Sequence, residues 1–192
     1  MSTLKLTGSS SGSTSLQAPA SGSDRTITFP NNAGTVITNA TPKTILQVVQ
    51  GNYTANVTST DTSHVEISSD LRATITPISA ASKLIITYNL FLHCNATQMI
   101  TVRILKDGST TVVENAQGSY SSNLQRGNST HYADSDLFGN RIVQVIDTAG
   151  STSERYYTPF WHTPSGTRGI NNYVGYTSYS GTSSYSVMEV AQ

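Results

Sequence analysis

Three short stretches carry the side chains with most chemistry to offer. "HYADSD" brings His131, Asp134 and Asp136 within six residues, and an imidazole with two carboxylates suits a hard cation. The spacing matches no calcium-binding loop, and such sites need further oxygen ligands. A solvated polar loop without metal is expected there. His93 and Cys94 are adjacent, so in an extended strand they point to opposite faces and cannot act together as base and nucleophile. Cys94 falls on the side of Leu90 and Leu92, where an inert core thiol is expected. "YYTPFWH" (156–162) is the richest aromatic run. Aromatic faces stack on the C–H surfaces of sugars at low cost in side-chain entropy. Tyr157, Trp161, Tyr173, Tyr176 and Tyr179 are therefore the candidate ligand-binding residues, for a glycan or receptor. The alternative for Trp161 and its neighbours is a place in the core or in a subunit interface.

Hydrolytic chemistry finds no such support. Glu66, Glu114, Asp147, Glu154 and Glu189 are scattered, whereas a glycosidase needs two carboxyls at a set separation. There is no G-x-S-x-G, H-E-x-x-H or phosphate-loop pattern. The expectation is a protein that is not an enzyme and uses no cofactor.

The elements that must position these residues read as strands. "LIITYNLFLHC" (84–94) alternates strictly: Leu84, Ile86, Tyr88, Leu90, Leu92 and Cys94 on one face, Ile85, Thr87, Asn89, Phe91 and His93 on the other. "MITVRIL" (99–105) alternates likewise, and "KDGS" then "TTVVE" predicts a tight hairpin at Asp107-Gly108. Further strands are expected at 44–50, 64–67, 72–76, 140–147, 154–162, 168–176 and 183–190, separated by Gly, Ser, Asn and Asp. No segment sustains a 3.6-residue period. The pattern predicts an all-β fold, a jelly-roll-like antiparallel β-sandwich over residues 43–192. Two long strands are apolar on both faces, and covering the outer one with another copy of the chain predicts a homo-oligomer.

Composition narrows the partners. The chain has 192 residues with 11 basic and 11 acidic side chains, but 28 Ser and 28 Thr. A neutral, hydroxyl-rich surface offers no electrostatic footprint for nucleic acid or an anionic membrane. The longest apolar run is too short to span a bilayer. The N-terminus has no apolar signal segment, and with one cysteine no intrachain disulfide can form. Synthesis in a cytoplasm is expected.

Residues 1–42 differ in character, being rich in Ser, Thr and Gly. They bury too little to offset their own ordering entropy. An extended N-terminal arm is expected, ordered by partners through Leu16, Ile27, Phe29, Val36 and Ile37.

The motifs "ILQVV" (45–49), "TITPISAASKLII" (74–86), "RILKDGSTT" (103–111) and "VMEV" (187–190), in this order, resemble the C-terminal domain of bacteriophage tail-fibre and virion structural proteins. "GSTSLQAPASGSDRTITFPNNAGTVIT" (12–38) is similar to a segment that precedes such domains. The stretch "TPFWHTPSG" (158–166) departs from that pattern by its aromatic residues. The resemblance implies a non-enzymatic virion component made in the host cytoplasm: a short trimeric fibre or fibre tip. Its arm would meet other virion proteins, and its sandwich would face a host surface polysaccharide. Two alternatives remain, a capsid decoration or cement protein and a carbohydrate-binding module.

Overall fold

A computed structural model of the chain describes residues 3–7, 13–17, 43–95, 98–108, 129–133, 138–173 and 176–192. For 3–7, 13–17, 98–99, 129–133, 138, 173 and 176–179 it describes the backbone alone. The chain divides into two compact units, Met1–Val36 and Ile37–Gln192. In the first, β1 (Thr3–Thr7) pairs antiparallel with β2 (Ser13–Gln17), placing Leu4 opposite Leu16. A hairpin thus stands where the sequence suggested only an extended arm. The alternating "TLKLT" was its one local signal. The arm residues Ile27, Phe29, Val36 and Ile37 lie outside the described residues.

The second unit is built from β3 (Ile45–Tyr53), β4 (Val57–Ser59), β5 (Val65–Glu66), a 3-10 turn (Ser69–Leu71), β6 (Ala73–Ile75), β7 (Lys83–Cys94), β8 (Gln98–Lys106), β9 (Ser129–Ala133), β10 (Phe138–Thr148), β11 (Arg155–His162), β12 (Arg168–Ile170), β13 (Asn172–Tyr173), β14 (Tyr176–Ser180) and β15 (Ser183–Val190). All pairings are antiparallel. In the larger sheet β7 is central, with β10 on one side and β15 and then β3 on the other; β12 and β4 extend those two rows toward Cys94. The second sheet runs β9, β8, β11, with β5 and β6 sharing the far side of β11. Between β6 and β12 the chain crosses repeatedly from one sheet to the other, the jelly-roll-like trait of this antiparallel sandwich. The expected Asp-Gly turn is present, Asp107 and Gly108 both in the left-handed region at φ 53° and 63°. The "TTVVE" strand expected after it lies outside the described residues.

Alternation decides the core. Leu84, Ile86, Tyr88, Leu90, Leu92 and Cys94 of β7 are all fully buried, and they meet Ile100, Val102 and Ile104 of β8 and Tyr157 and Trp161 of β11. Each such aliphatic side chain contributes about 1.5–3 kcal/mol on leaving water.

Several polar groups inside this core find partners. The Tyr88 hydroxyl lies 2.7 Å from the carbonyl oxygen of Tyr157 and 3.0 Å from that of Leu71. Tyr157 in turn donates its hydroxyl to Asp147 Oδ2 at 2.7 Å, and Lys106 Nζ donates to the same oxygen at 2.8 Å. Burial works against the Asp147 charge, but Lys106 and Tyr157 outweigh it and hold the carboxyl below its ordinary value. Burial raises both tyrosine hydroxyls, so they stay neutral donors.

Glu189, enclosed on the inner side of β15, accepts from Gln47 Nε2 at 2.6 Å and from the backbone N–H groups of Ile78 and Ser79 at 3.0 Å. Burial raises its pKa, yet Gln47 and the two amides bring it below the ordinary carboxylate value. The segments 74–86 and 187–190, far apart in sequence, are thereby tied to each other.

Tyr88→Phe keeps the ring and removes the one buried hydroxyl donor that the carbonyls of Tyr157 and Leu71 share. It is expected to lower stability by about 2 kcal/mol, read as a lower urea midpoint with an unchanged denaturant slope.

Candidate functional site

The outer face of the larger sheet is the part of the sandwich with functional character. Register places four rows across β10, β7, β15 and β3 there: Thr148–Lys83–Val190–Ile45, Ile146–Ile85–Met188–Val48, Gln144–Thr87–Ser186–Gln50 and Ile142–Asn89–Ser184–Asn52. The first two rows are mostly aliphatic and the last two mostly amide and hydroxyl. Ile45, Val48 and Ile146 remain 55%, 51% and 46% exposed. The aliphatic end is also where the chain enters the sandwich, Lys43 N donating to Ala191 O at 2.8 Å.

The amide and hydroxyl rows enclose a trough of about 430 Å³ lined by Gln50, Gly51, Asn52, Thr87, Asn89, Ser184, Tyr185 and Ser186. Its depth has a local cause. Tyr185 sits on the inner side of β15, its ring tilted against Tyr88 at 5.9 Å. It also fills the space over Gly51, where an added Cβ would come within 2.5 Å of Tyr185 Cζ. Alternation then turns the small Ser184 and Ser186 outward as a low floor between longer amides.

Next along β7 stands Phe91, over which Gly181 packs so closely that a Cβ would approach its ring to 2.4 Å. This is the base of the β13–β14 hairpin. Asn171 anchors it, fully buried in the left-handed region at φ 60°. Its Nδ2 donates to Tyr53 O at 2.7 Å and to Ala55 O at 3.1 Å, and Ser183 Oγ donates to its Oδ1 at 2.7 Å. Asn171 N donates to Phe91 O at 2.9 Å, and Gly181 N to Asn171 O at 2.8 Å.

The residues singled out in the sequence separate accordingly. Tyr157 and Trp161 are enclosed in the core, which corrects their assignment to a ligand platform. The pairing of β11 with β8 turns 157, 159 and 161 inward. Tyr173, Tyr176 and Tyr179 share the β13–β14 hairpin; their side chains lie outside the described residues. His93 and Cys94 are both fully buried. His131 belongs to strand β9, correcting the expected polar loop at that point, while Asp134 and Asp136 lie outside the described residues. The trough residues escaped sequence reasoning because Ser, Thr and Asn on three separate strands give no local signal.

Among the described residues no group of three or more His, Cys, Asp or Glu side chains is placed to hold a metal ion, and no helix is long and apolar enough to cross a membrane. Glu66 is held by Arg72 at 2.8 Å and accepts from Thr158 Oγ1 at 2.9 Å, while Asp147 and Glu189 are committed to the contacts above.

Basic groups gather near the Cys94 end. The rings of His64 and His162 stack at 4.8 Å, and the buried Arg168 lies over the Trp161 ring at 5.0 Å. Burial, then the charges of Arg103, His162 and Arg168, bring the His64 pKa down to about 3. Burial chiefly lowers that of His162 too.

Compared with models of known protein families and with curated proteins, the chain finds no match in either.

Two outcomes are expected. Asn171→Ala loses the three side-chain bonds and strains the left-handed backbone, lowering stability by about 3 kcal/mol, whereas Asn171→Gly relieves about 1 kcal/mol of that loss; paired denaturant melts measure the difference. Below pH 6.5 the unfolded chain takes up His64 and His162 protons that the fold refuses. Stability should therefore fall from pH 6.5 toward 4.5, before the carboxylates join in. His64→Phe, which keeps the stack, should flatten that part of a melting-temperature profile.

Proposed function

We propose that this chain is a non-enzymatic structural component of a bacteriophage virion, a short trimeric fibre or fibre tip whose sandwich is displayed outward. The observation that carries the reading is the uncovered aliphatic strip of Ile45, Val48, Met188, Ile85 and Ile146. A contiguous apolar strip on an otherwise neutral, hydroxyl-rich surface marks a protein contact. A second copy of the same strip matches it, with Lys83 the one charge in its rows. The order of the motifs 45–49, 74–86, 103–111 and 187–190 supports the same class.

Native mass spectrometry of the full-length protein is expected to give a trimer. Val48→Asp with Ile146→Asp, both on exposed positions, should convert it to a monomer with an unchanged β-type circular dichroism spectrum. A wild-type monomer overturns the fibre reading and favours a decoration protein that acquires its contacts on a capsid shell.

A further inference from the structure

We infer that the trough on the outer face of the larger sheet is a binding site for a neutral oligosaccharide. The biological source, a cell-surface polysaccharide, rests on the attachment reading above; the chemistry of the site does not.

Size comes first. Three strands about 4.8 Å apart and two residue rows about 7 Å apart give a floor of roughly 10 by 7 Å. The volume of about 430 Å³ falls within the roughly 300–1,000 Å³ of small-ligand sites. The trough is too short for a protein domain and suited to a few sugar rings.

The lining selects the class. Sugar hydroxyls donate and accept at once, and the side chains that answer both ways without charge are amides and hydroxyls. Gln50, Asn52, Thr87, Asn89, Ser184 and Ser186 are all of this kind. Among the described residues no Lys, Arg, Asp or Glu lines the trough, so these offer nothing to balance a phosphate, sulfate or carboxylate.

Particular groups are set for a ligand. Gln144 Nε2 donates to Thr87 Oγ1 at 3.0 Å, which occupies an acceptor position of that hydroxyl and leaves its proton to donate. Asn89 Oδ1 is enclosed with no hydrogen-bond partner, an unfavourable arrangement that a ligand hydroxyl would relieve. Rotation of its carboxamide about a soft terminal torsion presents that oxygen to an incoming hydroxyl. The ends of the trough supply what the C–H faces of sugars pack against. Ile85, Met188 and Val48 form the adjoining row, and Phe91 beside Gly181 lies at the other end.

The test applies full-length protein to an array of neutral hexose and N-acetylhexosamine oligosaccharides beside sialylated and sulfated ones, followed by calorimetry on the best ligand. Neutral oligosaccharides are expected to bind and acidic ones not. Ser186→Trp, which fills the floor, should weaken binding by roughly tenfold or more. Gln50→Ala with Asn52→Ala, on two exposed rim residues that leave the core untouched, should do the same. The rim variant carries the test should the tryptophan variant melt early. Absence of neutral-glycan binding by the wild type, binding confined to acidic glycans, or binding that survives the rim variant each overturns the site. The oligomer measurement is separate, so a trimer without glycan binding refutes the trough alone, and a glycan-binding monomer refutes the fibre alone.

Discussion

The two sheets are clamped through one short chain of buried and half-buried polar contacts. Tyr88 of the central strand reaches across the core to the backbone of β11, Tyr157 of β11 reaches back to Asp147 of β10, and Lys106 of β8 closes on the same carboxylate. Apolar packing is non-directional and would accept several offsets of one sheet over the other. A hydroxyl that must meet a particular carbonyl, and a carboxylate that must meet one phenol and one ammonium, accept one offset only. Every group in this chain is satisfied, which is the condition for a buried polar network to add uniqueness rather than cost. The position of the outer face follows from that alignment, since β7 and β10 carry both the network inside and the strip and trough outside.

Glu189 adds a second constraint of another kind. Its carboxylate holds the 78–79 amides against the last strand, so two segments about 110 residues apart in sequence are physically one unit here. A carboxylate that accepts backbone N–H groups cannot be replaced by an amide without turning donors against donors. That gives the closing "VMEV" a reason to keep its acidic residue, quite apart from any chemistry with a ligand.

How much of this was legible in the sequence depends on the residue. β7 declares itself through eleven residues of alternation, and Asp107-Gly108 through the backbone its turn requires. β11 is different. It carries aromatic residues at both parities, Tyr156 and Phe160 against Tyr157 and Trp161, so periodicity could not say which pair was inside until pairing with β8 fixed the face. The pairing of β1 with β2 was missed because Ser and Thr supply little strand signal beyond three leucines. The trough is a property of register. Gln50, Thr87, Asn89 and Ser186 become neighbours only when β3, β15 and β7 align, and no local pattern announces that alignment.

Cys94 ends the central strand, opposite Arg168, with its sulfur fully enclosed. Thiols react as thiolates and only where a reagent can reach them. Alkylation of this side chain must therefore wait for that end of the sandwich to part. Being the one cysteine of the chain, it is a built-in clock: the rate at which it is labelled in native buffer reports how often the terminal strands come away from the core.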